Sequence, residues 1–196
     1  MIRKTAFVVA LVALCVTSAY AAPDRTGKSD LGFNVSGAIP DDDDTDATVY
    51  LGGQYAYGVA PWLALGAEAG WAEFDDSEAG FTAEETAVPI LGDIILRVPT
   101  ESQAQFYGIV GLGVIVWNVD TNIPNVDFDV DTAFAAKFGG GVDWFVNDNW
   151  ILNFEFSYIT SDADATARNT VTGATISDTG ETDLWMVGGG VKYLFS

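Results

Sequence analysis

The segment from Trp144 to Tyr158 reads W-F-V-N-D-N-W-I-L-N-F-E-F-S-Y. Its second half places bulky apolar side chains at every other position, with Asn153, Glu155 and Ser157 on the opposite face. The apolar set is Trp150, Leu152, Phe154, Phe156 and Tyr158. This period of two is typical of a β-strand whose two faces differ. A soluble sheet would bury the aromatic face under a second layer, but no amphipathic helix supplies one, so we expect lipid to cover it.

The start of the chain has the pattern of a secretory signal peptide. Arg3 and Lys4 precede an apolar run, and small residues up to Ala21 supply a cleavage site. No stretch approaches the roughly 20 uninterrupted apolar residues that a membrane-spanning helix needs. We expect residues 1–21 to be cleaved, residues 22–29 to form a short periplasmic segment, and residues 30–196 to form one barrel.

Cleavage would leave a mature chain that has no cysteine and is strongly acidic. The only cysteine, Cys15, follows Leu14, where lipoprotein processing needs a small residue, so the lipoprotein interpretation is disfavoured. The signal holds two of the eight basic residues and none of the 28 acidic ones, so the mature net charge is −22. Nucleic acid is excluded as a partner, because phosphate binding needs basic patches.

Eight segments with alternating apolar residues predict eight strands. Their approximate bounds are residues 30–39, 48–58, 62–74, 86–98, 104–118, 133–146, 150–161 and 183–195. The connections alternate between short (58–61, 99–103, 147–149) and long, polar ones (40–47, 75–85, 119–132, 162–182). The sequence therefore predicts an all-β, eight-stranded, antiparallel up-and-down transmembrane β-barrel with short periplasmic turns and long extracellular loops. Closure would leave no unpaired strand edge in the lipid.

The tryptophans are expected to form aromatic girdles at the two membrane rims. Trp62, Trp144 and Trp150 flank the short turns, whereas Trp71, Trp117 and Trp185 lie towards the long loops. The path from Trp62 to Trp71 is about 30 Å at 3.3 Å per residue. With a strand tilt near 40° this is roughly 23 Å along the membrane normal, close to the height of the apolar band of a barrel.

The last strand, Trp185-Met-Val-Gly-Gly-Gly-Val-Lys-Tyr-Leu-Phe195, resembles the closing strand of the small outer-membrane barrels that include OmpX, OmpW and the OmpA transmembrane domain. Similar features are Val88-Pro-Ile-Leu, Phe106-Tyr-Gly-Ile-Val-Gly-Leu-Gly and residues 139–150. The resemblance implies a monomer in a Gram-negative outer membrane, surrounded by the lipid bilayer and lipopolysaccharide. It also implies that the barrel-assembly machinery reads Tyr193 and Phe195, although here Ser196 follows the terminal aromatic residue.

Seven charged residues share the inward phase of the predicted strands and form a candidate lumen network: Glu68, Asp93, Arg97, Lys137, Asp143, Glu155 and Lys192. An eight-stranded barrel has an interior just wide enough for side chains to fill it. Unpaired charges there would be costly, so we expect mutual pairing that plugs the barrel. The alternative is a gated path for ions.

Twenty carboxylates in or beside the four long loops are the main functional signal. They are Asp41, Asp42, Asp43, Asp44, Asp46, Glu73, Asp75, Asp76, Glu78, Glu84, Glu85, Asp120, Asp127, Asp129, Asp131, Asp162, Asp164, Asp178, Glu181 and Asp183, with only Arg168 against them. They would attract cations or a basic partner. Asp41–Asp44 and Asp127, Asp129 and Asp131 are weak candidates for divalent ions, since Thr132 and Phe138 stand where a calcium loop needs glycine and glutamate.

The sequence predicts no enzyme and no cofactor. Histidine is absent, which removes the usual general base and zinc ligand. The glycine triplets 139–141 and 188–190 lie inside strands rather than before a helix, so they are not phosphate-binding loops. We therefore expect a non-catalytic structural and surface-interaction protein. The alternatives are a narrow, cation-selective porin-like channel and a soluble ligand-binding barrel, which would need a polar outer wall.

Overall fold

The computed structural model describes residues 22–41, 47–78, 81–121, 126–169, 172 and 175–196. The predicted signal peptide, including Cys15, lies outside these residues. The described part contains nine strands: β1 Ser29–Pro40, β2 Thr48–Ala60, β3 Leu63–Glu78, β4 Phe81–Arg97, β5 Ala104–Thr121, β6 Val126–Val130, β7 Ala133–Phe145, β8 Trp150–Asn169 and β9 Thr175–Phe195.

Eight of these strands form a closed antiparallel barrel. Each pairs with its neighbour along the chain, with β5 pairing directly with β7, and β1 pairs with β9 to close the ring. Ser29 lies opposite Phe195, so both ends of the barrel sequence are at the rim with the short turns. The predicted fold is confirmed. No helix among the described residues has the length and apolar character to cross a membrane.

The strands extend further towards the long connections than the sequence predicts. β3 and β4 continue to Glu78 and Phe81, and β8 and β9 continue to Asn169 and Thr175. The prediction of loops at 75–85 and 162–182 is wrong for most of these residues. Apolar alternation ends where lipid ends, but the hydrogen-bonded ladder continues in water, since it needs no apolar cover. β6, in the third long connection, adds a short strand to the outer end of β8.

The outer wall carries the large apolar side chains and the inner wall the small and polar ones. In β2 the burial alternates residue by residue, with Tyr55 and Tyr57 outward and Gln54 and Ala56 inward. β8 shows the same division, with Leu152, Phe154 and Phe156 exposed on the outside and Asn153 and Ser157 buried inside. The outer wall is therefore suited to contact with lipid. It is not the polar outer wall that a soluble ligand-binding barrel would need.

Candidate functional site

All seven predicted lumen charges lie on the inner wall, in two clusters at different depths. Asp143, Arg97 and Lys192 belong to a set near the short turns, the periplasmic cluster, which also contains Arg25 and Asp30. Glu68, Asp93, Lys137 and Glu155 form a second set further along the axis, the central cluster. The periplasmic cluster has three cations and two carboxylates, and the central cluster has one cation and three carboxylates.

Arg25 organises the periplasmic cluster. Its guanidinium donates to Asp143 Oδ2 at 2.5 Å and to Asp30 Oδ2 at 2.5 Å, and it lies 5.6 Å from the centre of the Phe145 ring. Arg97 donates to the same Asp30 oxygen at 3.1 Å, and Lys192 Nζ lies 3.2 Å from Asp143 Oδ1. Each carboxylate is therefore shared by two cations, which offsets much of the cost of burying them.

The segment before β1 holds Arg25 in the lumen. Asp24 Oδ1 accepts hydrogen bonds from the backbone N–H and the hydroxyl of Thr26, at 2.9 and 2.7 Å, and these bonds lower the pKa of Asp24. Gly27 adopts a positive φ of 73°, which only glycine takes without strain, and its N–H donates to Gly58 O at 2.8 Å. This turn points Arg25 into the barrel mouth, where only 2% of the residue is exposed.

Arg25 and Asp30 are the functional residues that sequence reasoning missed. Arg25 precedes the first strand, so the alternation of apolar residues cannot assign it to either face of the barrel wall. Residues 22–29 were expected to form a short periplasmic segment outside the barrel. Asp30 was detectable, because it alternates with the outward Leu31 at the start of β1. With these two residues the two clusters of the described lumen hold five acids and four bases.

The central cluster is built around Lys137. Its ammonium nitrogen lies 2.7 Å from Glu68 Oε2 and 2.7 Å from Glu155 Oε1, and Lys137 is fully buried. Tyr107 donates its hydroxyl hydrogen to Glu155 Oε2 at 2.7 Å. One cation therefore joins β3, β7 and β8 across the barrel axis.

Asn153 connects the two clusters. Its side-chain amide donates to Tyr107 Oη at 2.8 Å and to Asp143 Oδ1 at 2.9 Å. Between the clusters is a cavity of about 10 Å³, lined by Asn34, Gln54, Glu68, Glu155 and Lys192 among others. That volume suffices for the centre of about one water molecule. Side chains of both clusters therefore enclose a space of about one water molecule at this depth of the lumen.

Towards the long hairpins the inner wall carries a cluster of buried apolar side chains, the apolar ring. Each of the eight barrel strands contributes at least one buried residue to it: Ala38, Tyr50, Ala72, Phe74, Ala87, Leu91, Ile115, Ala135, Ile159, Leu184 and Met186. Trp117 packs against this ring from the inner wall and its Nε1 is buried. Trp117 was expected in the outer girdle, so that assignment is wrong. The ring separates the charged clusters from the outer mouth.

The other tryptophans lie elsewhere. Trp62, Trp71, Trp150 and Trp185 are exposed, and Trp144 is half-buried between two inward neighbours in sequence. At one rim Trp150 packs edge-on against Tyr193, with centroids 5.0 Å apart, and Tyr193 stacks with Phe195 at 6.5 Å. At the other rim Trp185 contacts Phe156 and Tyr158, at 5.3 and 4.6 Å. The strand from Trp150 to Tyr158 is about 26 Å long. With a strand tilt near 40° this distance is roughly 20 Å along the membrane normal.

Two of the described acidic residues of the outer end, Asp183 and Asp41, contact aromatic residues of the rim. Tyr158 donates to Asp183 at 2.5 Å, Trp185 Nε1 donates to Asp41 at 3.3 Å, and Asp131 is exposed. Asp42–Asp44 lie outside the described residues, and only the backbone of Asp127 and Asp129 is described, in β6. Among the described residues no group of three or more acidic, histidine or cysteine side chains is placed to hold a metal ion.

A closed antiparallel barrel with an apolar outer wall, aromatic rims and a polar interior defines the class of outer-membrane β-barrel proteins. The chain belongs to the family described as outer membrane protein beta-barrel domain, whose model matches residues 7–195. The protein is accordingly located in the outer membrane.

Known structures share this fold. OprG from Pseudomonas aeruginosa is 15% identical, with a TM-score of 0.65 over 89% of this chain and 99% of that one. The outer membrane protein W of E. coli is 16% identical, with a TM-score of 0.60 over 88% and 100%. Ail, the attachment invasion locus protein of Yersinia pestis, is 12% identical, with a TM-score of 0.51 over 87% and 99%. A search of curated proteins finds no match.

Proposed function

We propose that this protein is a closed, non-catalytic outer-membrane barrel that displays acidic strands and loops for contacts with cations or a basic surface partner. The observation that carries the proposal is the arrangement of buried side chains inside the barrel. Two ion-pair clusters occupy its periplasmic half and centre, and the apolar ring lies across its outer half. An ion would have to break buried salt bridges and then cross an apolar layer, both of which are costly.

The surface role is supported by the distribution of charge. Twenty carboxylates lie in or beside the long connections, where Arg168 is the single basic residue. The extended strands β8 and β9 carry part of this sequence beyond the aromatic rim at Tyr158 and Trp185. A concentrated negative field at the cell surface attracts cations and basic polymers and repels anions. One structural relative, Ail, is named for attachment and invasion, which agrees with a surface role for this fold. We further propose that the protein works as a monomer among lipopolysaccharide molecules, and that the barrel-assembly machinery reads Phe195.

Planar-bilayer recording tests the closed lumen. We expect reproducible silence from the folded mature protein, with insertion verified by heat-modifiable gel mobility of protein recovered from the same vesicles. Cation-selective steps that disappear in Glu68→Gln or Glu155→Gln would overturn the closed barrel and favour a narrow channel. The water-sized cavity beside Glu68 and Glu155 and the excess negative charge of the central cluster are the features that favour this alternative.

Binding to a cationic surface tests the proposed surface role. Proteoliposomes carrying the protein are expected to bind a poly-lysine-coated sensor, with affinity that falls steeply as salt increases, since exposed charges are screened. Replacing Asp41–Asp44 by asparagine should weaken this binding, whereas Asp148→Asn in a periplasmic turn should not. Equal binding by both variants and the parent would contradict the role of the loops.

Calorimetric titration with Ca²⁺ tests for divalent-ion sites in the loops. Binding at defined sites gives saturable heat, whereas general attraction of cations by the negative charge does not.

A further inference from the structure

Asp93 is a buried carboxylate that the ion pairs of the lumen leave out. It lies in the membrane-spanning part of β4 with only 3% of the residue exposed, and neither Oδ1 nor Oδ2 has a hydrogen-bond partner among the described residues. The carboxylate occupies the space over Gly111 of β5. A Cβ placed on Gly111 would fall 2.5 Å from Asp93 Oδ1 and 3.2 Å from Lys137 Cβ. Asp93 is thus beside the stem of the only cation of the central cluster.

The groups that face Asp93 come from several strands. Glu68 on β3, Lys137 on β7 and Glu155 on β8 are the charges that act on it most strongly, and Gln54 acts on it from β2 without a hydrogen bond of normal geometry. Tyr50, also on β2, interacts with the same set, and its hydroxyl has no described partner. Lys137 already contacts Glu68 and Glu155 at 2.7 Å each. An ionised Asp93 would be a third carboxylate with no counter-charge of its own.

A cation or a proton could neutralise this group. A bound metal ion needs several oxygen ligands converging on one point, and no group of three or more acidic, histidine or cysteine side chains in the described part of the chain provides them. A proton needs only Asp93 itself, and an isolated buried carboxyl group normally responds to burial by becoming neutral.

We propose that Asp93 carries a proton in the folded barrel and is the proton-binding site of the lumen. The neutral acid balances the lumen, because the other four carboxylates match the four cations Arg25, Arg97, Lys137 and Lys192. Loss of the proton makes Asp93 compete with Glu68 and Glu155 for Lys137. The same residue therefore couples pH to the salt bridges that close the centre of the lumen. This inference concerns the lumen alone and does not depend on the proposed surface role.

Infrared spectroscopy of the folded, deuterium-exchanged protein near neutral pH tests the proposal directly. We expect a carboxylic-acid C=O band that disappears in Asp93→Asn and persists in the control Asp148→Asn, whose carboxylate is in an exposed turn. Absence of the band in the parent, or its persistence in Asp93→Asn, would overturn the proposal. In the parent the band must also be lost at increasing pH as Asp93 ionises, and a band that persists to high pH would overturn the proposal.

Denaturant unfolding at a series of pH values is the second measurement. An unfolded aspartate releases its proton above a pKa of about 4, so in weakly acidic and neutral solution the folded protein holds one proton more than the unfolded chain. The unfolding equilibrium constant should then rise about tenfold per pH unit in the parent relative to Asp93→Asn, until Asp93 ionises in the folded barrel as well. Parallel pH profiles for the two proteins would contradict the proposal.

Discussion

Replacing Lys137 by methionine should lower the free energy of unfolding by about 3–5 kcal/mol, the usual cost of removing one partner from a buried ion pair. Lys137 is fully buried and its ammonium contacts two carboxylates. Methionine keeps most of the apolar stem but leaves Glu68 and Glu155 without their cation. Denaturant unfolding in lipid vesicles, followed by tryptophan fluorescence and heat-modifiable mobility, measures the change.

Two controls separate the lost charge from other effects of that substitution. Lys28→Met removes a lysine from the turn before β1, outside both clusters, and should leave the unfolding midpoint nearly unchanged. Adding Glu68→Gln and Glu155→Gln to Lys137→Met removes the stranded carboxylates and should recover much of the loss, since neutral replacement of a whole buried cluster is often tolerated. If the triple variant is no more stable than Lys137→Met, uncompensated charge is not the cause.

Replacing Phe154 by lysine should destabilise the barrel by about 2–4 kcal/mol, the cost of a lysine on the lipid face at the bilayer midplane. Phe154 is 54% exposed on the outer wall, and it lies four residues from Trp150 and four from Tyr158, which mark the two rims. Its surroundings in the membrane are therefore acyl chains. Unfolding from vesicles of defined lipid measures the effect.

Val98→Lys is the control for that experiment, matched in exposure but placed at the membrane rim. Val98 is 57% exposed, similar to Phe154, but it follows the end of β4 at the rim with the short turns. A lysine at this depth costs about 0–1 kcal/mol because its ammonium reaches water. Equal losses for the two substitutions would mean that the strand is placed at the wrong depth in the bilayer.

Alternation with a period of two predicted the barrel well, because one face of each strand meets lipid and the other meets the polar lumen. Within 152–158 the apolar residues are outward and the polar ones inward, so the face of each residue can be read from this strand's sequence alone. The same reasoning placed all seven lumen charges on the correct wall. It failed at Trp117, because residues 114–117 read V-I-V-W and are apolar on both faces. The apolar ring makes the inner wall there as hydrophobic as the lipid face, so no phase is visible.

The pairing of the lumen charges could not be predicted in the same way. Lys137 lies 69 positions from Glu68, and the two meet only because the closed, tilted sheet brings β3 and β7 face to face across the axis. Arg25 lies outside every alternating segment and reaches Asp143, 118 positions away, only when the N-terminal turn folds into the mouth. Likewise, the outer extensions of β8 and β9 have no apolar alternation that would reveal them in the sequence, although their backbones pair as far as Arg168 and Thr175.

The sequence by itself determined which face of each strand meets lipid, the number of barrel strands, the location in the outer membrane and the acidity of the long connections. These are local properties, written in side chains that alternate between lipid and lumen. Only the tertiary structure decided which charges pair, that Arg25 lies in one mouth of the lumen and the apolar ring towards the other, and that Asp93 has no hydrogen-bond or ion-pair partner among the described residues. Those outcomes depend on closure and stagger of the sheet, which place residues far apart in the chain at one depth of a narrow interior.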